Sequence, residues 1–275
     1  MAGDDRSFEV LLAEGGSVPV DGWDFAWFDG RATEQRPSWG YARLAAARVA
    51  DPGVAVVLDL QTGGGEVYAE VLERATLLRG SHPAPAPLTA LATEGWPPNH
   101  ALATRRLAPF GAEVALVEAA PGIPLPHPDA SVDLALSRHP AYNDWAEIAR
   151  VLRPGGRSLS QQVGAGSNRG LYEFLMGPHP VGENDARSDA NLAAGARAAG
   201  LEVLDLRHES TAVEFFDVAA VVHFLRKVLW TVPDFTVERY RERLRALHAH
   251  IEENGSFVCS SERVLLELRR PAETN

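Results

Sequence analysis

The sequence predicts an α/β chain built on a doubly wound, mostly parallel, seven-stranded sheet. Two observations carry that prediction. From Val54 onward, short runs rich in aliphatic and β-branched residues alternate with stretches of helical periodicity, the pattern of successive βαβ units. The runs give way to loops of small or polar residues, and the one after Leu60 is Gln61-Thr62-Gly63-Gly64-Gly65. The chain has 275 residues, 45% of them apolar and 23% charged, enough for one sizeable domain or a domain with an appendage.

Residues 1–50 form an aromatic-rich lead-in, with Trp23, Phe25, Trp27, Phe28, Trp39 and Tyr41 set among Gly, Pro and charge. A helix is predicted there only over Ser38–Ala50, so the segment is expected to be an N-terminal helical cap on a main domain spanning 51–275. Strands are expected at Val54–Leu60, Leu88–Thr93, Glu113–Glu118, Val132–Ser137 and Arg157–Val163. Between them, Glu66–Leu78 places Val67, Val71, Leu72, Ala75 and Leu78 on one side at helical spacing. Pro98–Phe110 opens on prolines and stops at Gly111, and Asp144–Leu152 is closed by Arg153-Pro154-Gly155-Gly156. Beyond a glycine- and asparagine-containing stretch to Asp185 come a helix at Ser188–Ala199, a strand at Glu202–His208, helices at Asp217–Trp230 and Val237–Glu253, and a strand at Val264–Leu268. The last helices form a late insertion at about 164–260. The only biased segment is the short proline-alanine stretch His82–Pro87.

Charge and composition narrow the function classes. Lys plus Arg total 26 against 37 for Asp plus Glu, a formal charge of −11 that repels a polyanion on average. The alternation of Arg239, Arg241, Arg243 and Arg245 with Glu238 and Glu242 reads as a solvated helix and not a nucleic-acid stripe. Cys259 is the single cysteine, which excludes an intramolecular disulfide and a cysteine-built metal centre. The histidines show no metal-ligand spacing, so no metal is expected. Acids near the N-terminus and the lack of a long apolar run favour a cytoplasmic chain without a signal peptide or a membrane span.

The segment Val56-Val57-Leu58-Asp59-Leu60-Gln61-Thr62-Gly63-Gly64-Gly65-Glu66 is a buried strand, a glycine turn and a helix start, the place where open α/β sheets bind ligands. A dinucleotide reading fits it poorly. Counted from Gly63, the G-x-G-x-x-G spacing requires glycine at Tyr68, and a carboxylate at Asp59 repels phosphate. A carboxylate there suits a cationic or amine-bearing ligand.

Four motifs in order across Val54–Val163 resemble those of the class I S-adenosylmethionine-dependent methyltransferases. Leu58-Asp59-Leu60-Gln61-Thr62-Gly63-Gly64-Gly65-Glu66 is similar to the first motif, an acid followed by G-x-G-x-G. Ala92-Thr93-Glu94-Gly95-Trp96 resembles the end of the second strand, Asp129–His139 the fourth-strand motif, and Val151-Leu152-Arg153-Pro154-Gly155-Gly156 the L-x-P-G-G that leads into the fifth. The resemblance implies a Rossmann-like domain with S-adenosylmethionine as cofactor. It also implies roles: Asp59, Gly63 and Gly65 hold the methionine portion, Glu94 beside Gly95 accepts the ribose hydroxyls, Glu118 and Ala119 flank the adenine, and Ser137 faces the methionine or sulfonium end. Gln61 departs from the family by standing where the first glycine is expected; its side chain either crowds the amino-acid tail or hydrogen-bonds to it.

Methyl transfer depends chiefly on positioning, and a base is needed only when the acceptor must lose a proton. His139, just past the fourth strand, is the candidate base; the alternative is a histidine that only caps or hydrogen-bonds its loop. Gln161 and Gln162 should point to opposite faces, where they either orient a polar substrate or satisfy loop backbone groups. Arg138 is read as pairing with the cofactor carboxylate or with a nearby acid, the structural pair being favoured. Trp23, Trp27, Trp39 and Tyr41 are read as a water-excluding lid or as packing, with Arg31, Arg36 or Tyr41 near the cofactor carboxylate. Phe215, Phe216, Val221, His223, Phe224 and Trp230 are read as a buried face or a substrate pocket. The expected function is methyl transfer to O, N or C of a small-molecule metabolite. A non-methylating S-adenosylmethionine-binding protein on the same scaffold and an RNA methyltransferase stay open as alternatives, and oligomeric state is not legible.

Overall fold

The computed structural model describes residues 7–20, 25–80, 87–182 and 185–272; Trp23 and all but the last residue of the His82–Pro87 stretch lie outside them. The helices are α1 (Phe8–Ser17), α2 (Tyr41–Val49), α3 (Glu66–Arg79), α4 (Pro97–Leu107), α5 (Trp145–Val151), α6 (Arg169–Met176), α7 (Asp189–Ala198), α8 (Val218–Lys227) and α9 (Val237–Asn254). The strands are β1 (Ala32–Glu34), β2 (Val56–Leu60), β3 (Thr89–Glu94), β4 (Glu113–Leu116), β5 (Val132–Arg138), β6 (Leu152–Val163), β7 (Glu202–Phe215) and β8 (Phe257–Arg269).

Among the described residues these strands form one sheet in the order β1-β7-β8-β6-β5-β2-β3-β4. This corrects the expected seven strands to eight and makes the sheet mixed. The β2–β3, β2–β5, β3–β4 and β5–β6 pairs are parallel, whereas β6–β8 and β1–β7 are antiparallel. The extra strand, β1, is three residues long, too short to show a period of two. Helices α1 and α6 are further additions to the sequence-based reading. The expected Pro-Gly-Gly turn lies within β6, where the pairing with β5 jumps from Val132↔Leu152 to Leu134↔Arg157 and leaves Gly155 at φ +80°.

The described residues group into two compact units. One takes the chain up to Arg36, Gly166–Gly182 and Ser210–Glu262; the other takes Pro37–Ala165, Glu183–Glu209 and the chain from Arg263 onward. The first has a single core in which Phe8, Leu11 and Leu12 of α1 pack with Phe28, Phe215 and residues of α8 and α9 such as Val221 and Leu244. Phe216 and Trp230 stay exposed. Within that core His223 lies against the rings of Trp27 and Phe28, and burial, reinforced by the charges of Lys227 and Arg226, pushes its pKa down to about 4.

The second unit is a sheet covered on both faces, as parallel strands require. Successive residues of β2 feed opposite layers. Val57 joins Tyr68, Val71 and Leu107 beneath α2, α3 and α4, and Leu58 joins Ile148, Val151 and Leu192 beneath α5 and α7. The chain leaves β2 for β3 and β4 in one direction and β5 for β6 in the other, so the ends of β2 and β5 flank the topological switch point. No helix among the described residues is long and apolar enough to cross a membrane.

Candidate active site

The C-terminal ends of β2, β3, β4 and β5 surround one cleft, whose walls include Leu60, Gln61, Thr93, Glu118, Ala119 and Ser137. Of the expected site residues, Gln61, Glu118, Ala119 and Ser137 line it directly. Asp59 and Glu94 are buried near the ends of β2 and β3, Gly95 follows Glu94, and His139 stands one residue past β5. Gly95 must be small, because a Cβ there would lie 3.1 Å from both Glu118 Cα and Val117 O.

The glycine turn is shaped by its backbone. Gly63 and Gly65 take φ of +63° and +81°, and Gly65 caps α3. A Cβ on Gly65 would come within 3.3 Å of Ala103 and Leu107 of α4, so the turn is also a close approach. Arg106 of α4 donates to the Gly64 carbonyl and pairs with Glu66, which ties the turn to its neighbour. Glu94 holds it from the other side: Oε2 accepts from Gly63 N at 2.8 Å and Oε1 from Trp96 N at 2.9 Å.

Asp59 sits under this turn. Burial raises its carboxyl pKa to about 7, with the charge of Glu94 adding to the rise and the nearby Thr62 hydroxyl and Arg138 opposing it. Tyr41, the first residue of α2, is buried against the same carboxylate, and its phenol is pushed further up by burial and by Asp59. Among the described residues, Ser137 Oγ is buried without a partner in hydrogen-bonding geometry, and the hydroxyls of Tyr41 and Thr62 are buried near Asp59. Buried hydroxyls around a glycine turn, beside a carboxyl whose pKa is raised to about 7, make a polar recess that an amine-bearing ligand would complete.

Gln61 takes φ +55°, the conformation glycine is expected to supply at that position. Its side chain spans the switch point: Nε2 donates to Tyr142 O at 2.6 Å, and Oε1 accepts from Ala141 N at 2.7 Å. The segment after β5 is held from β6 as well, where Gln162 and Asn143 exchange two amide hydrogen bonds of 3.0 Å. Gln161, on the opposite face, reaches Trp39 and His139. The sequence carried no signal for these clasps, since Gln61 and Tyr142 are far apart along the chain. Tyr41 and Trp39 belong to the unit that holds the cleft and Trp27 to the other, where Arg31 lies 4.4 Å over its ring.

No protein-family model matches the sequence, and no curated protein does. Solved structures do match. A "putative methyltransferase" of Bacillus halodurans is 17% identical, covering 84% of this chain and 99% of its own, with a TM-score of 0.56. The YcgJ protein of Bacillus subtilis is 16% identical over 84% and 99%, with a TM-score of 0.52. The [4+2]-cyclase SpnF is 18% identical over 96% and 93%, with a TM-score of 0.50. With the order of strands and the glycine turn after β2, these likenesses show that the chain has the α/β, Rossmann-like fold of the class I S-adenosylmethionine-dependent methyltransferases.

Proposed function

We propose that the chain binds S-adenosylmethionine in the switch-point cleft and transfers its methyl group to oxygen, nitrogen or carbon of a small metabolite. The observation that carries this reading is the recess itself: Asp59 and the buried Tyr41, Thr62 and Ser137 hydroxyls beside the Gly63–Gly65 turn. The residues fit the cofactor. Asp59, titrating near neutrality, would pair with the ammonium of the amino-acid tail, and the turn at Gly63 and Gly65 lets backbone approach it. Each oxygen of Glu94 accepts one backbone N–H and keeps a lone pair for a ribose hydroxyl. Glu118 and Ala119 would flank the adenine, and Ser137 would face the sulfonium. When bound, the cofactor supplies an activated methyl group; the protein's part is to fix its direction and exclude water.

The charge of −11 supports a small acceptor over RNA. A second reading, a non-methylating protein or enzyme that binds the same cofactor, is favoured by Gln61, whose amide bridges the cleft where the first motif has glycine. SpnF, a cyclase, is an example of other chemistry on this fold.

Calorimetric titration with S-adenosylmethionine and S-adenosylhomocysteine, with NADH as control, tests the binding. Micromolar affinity for the adenosyl ligands alone is expected, and Asp59→Ala and Glu94→Ala should each weaken it by at least about tenfold, the loss of roughly one charge-assisted hydrogen bond. Unchanged affinity in both variants removes the site assignment. Binding without methyl transfer to any member of a metabolite panel supports the second reading.

A further inference from the structure

We infer that Trp39 and Gln161 are positioning residues that hold His139 as a neutral ring with its proton on Nδ1, so that this histidine works as a hydrogen-bond donor and not as a base at Nε2. The inference rests on the methyl-transfer reading of the cleft only for its catalytic meaning; the protonation state follows from three side chains of one unit.

Trp39 Nε1 lies 2.8 Å from Gln161 Oε1, and Gln161 Nε2 lies 2.9 Å from His139 Nε2. The two ends of an amide are interchangeable in shape, so its orientation has to be argued from its partners. An indole N–H donates and never accepts, which fixes the carbonyl of Gln161 toward Trp39. The other end of the amide, two N–H bonds without a lone pair, therefore faces His139. Two donors at 2.9 Å would repel, so Nε2 carries the lone pair and the neutral ring keeps its proton on Nδ1. This is the tautomer that free histidine disfavours.

The relay has little room to relax. Trp39 is 5% exposed and Gln161 3%. Gln161 sits in β6 opposite Arg138 of β5, and its carbonyl accepts His139 N at 2.7 Å, so the backbone and the ring of His139 are held by the same residue. His139 itself is in the left-handed region, φ +55°, which turns the chain sharply as it leaves β5.

A base must present a lone pair. At His139 the Nε2 lone pair is taken by Gln161 and Nδ1 bears hydrogen, so the ring acts through an N–H and not through a lone pair. A substrate that must lose a proton during the transfer loses it to another group.

Ring-nitrogen NMR of the uniformly 15N-labelled full chain at pH 7.5, without cofactor or substrate, tests this. We expect His139 Nδ1 in the protonated range and Nε2 in the lone-pair range. Trp39→Phe keeps most of the packing and frees the amide to turn, and should shift the ring toward the Nε2-protonated form. Gln161→Glu sets a carboxylate against Nε2 and should draw a proton onto it. An Nε2-protonated or doubly protonated ring in the parent protein overturns the inference, as does the parent pattern persisting in both variants. If a variant fails to fold, the parent spectrum decides alone. The methyl-transfer reading can fail in calorimetry without touching this result, because the spectra contain no ligand.

Discussion

At the scale of single residues, Asp59 makes stability and binding depend on pH. Its ordinary value is 3.8 and its folded value about 7, so between these the folded chain holds a proton that the unfolded chain has lost. Stability therefore falls as pH rises through that window and levels off above it. Asp59→Asn should remove the slope: denaturant unfolding should show the variant more stable than the parent at pH 8, with the gap closing toward pH 4. An ammonium bound against Asp59 reverses the bias and expels the proton, so binding of S-adenosylmethionine at pH 6 should release close to one proton, read as a heat that varies with the buffer's ionisation enthalpy. Asp59 and Glu94 were legible in the sequence because motif position alone marks them. The partners of Gln61 and the link from Trp39 to His139 were not, because side-chain hydrogen bonds between loops, or from a loop to a strand, join residues with no fixed spacing.

At the scale of elements, α1 shows how one residue type carries two meanings. Ser7 caps it, its side chain accepting from Val10 N, and Phe8, Leu11 and Leu12 face the core. The sequence-based reading placed a helix in residues 1–50 only over Ser38–Ala50, and α1 ends near a Gly15-Gly16 pair. The structure separates the two glycines. A Cβ on Gly15 would lie 2.3 Å from the backbone oxygen of Ala219 in α8, while Gly16 has nothing within 4 Å. Gly15→Ala should then destabilise the chain by about 1–3 kcal/mol through overpacking. Gly16→Ala should be neutral or stabilise by up to ~1 kcal/mol through helix propensity, and thermal unfolding of the two variants side by side checks both. The βαβ part of the sheet was readable for the opposite reason: β2 and β5 are largely buried, α3 starts at a glycine turn and α4 at prolines, each a local signal. Strands β7 and β8 were found but cut short, since in β7 charged and polar residues such as Arg207, His208 and Glu209 interrupt the apolar pattern.

At the scale of the whole molecule, β8, the last strand in chain order, lies inside the sheet between β7 and β6. It pairs with β6 over seven residues, from Arg157↔Arg269 to Val163↔Arg263, and Arg48 and Arg157 converge on Glu267 within it. Until it is in place, β6 presents an open edge. Chains cut before Phe257 should therefore fail to protect β5 and β6 from proteolysis, whereas the full chain protects both. Roughly 90 residues separate the end of β6 from the start of β8. At about 5–20 residues per second, the ribosome takes on the order of 5–20 s to deliver the missing strand, an interval in which the nascent chain depends on chaperones or on its own solvated loops to stay single.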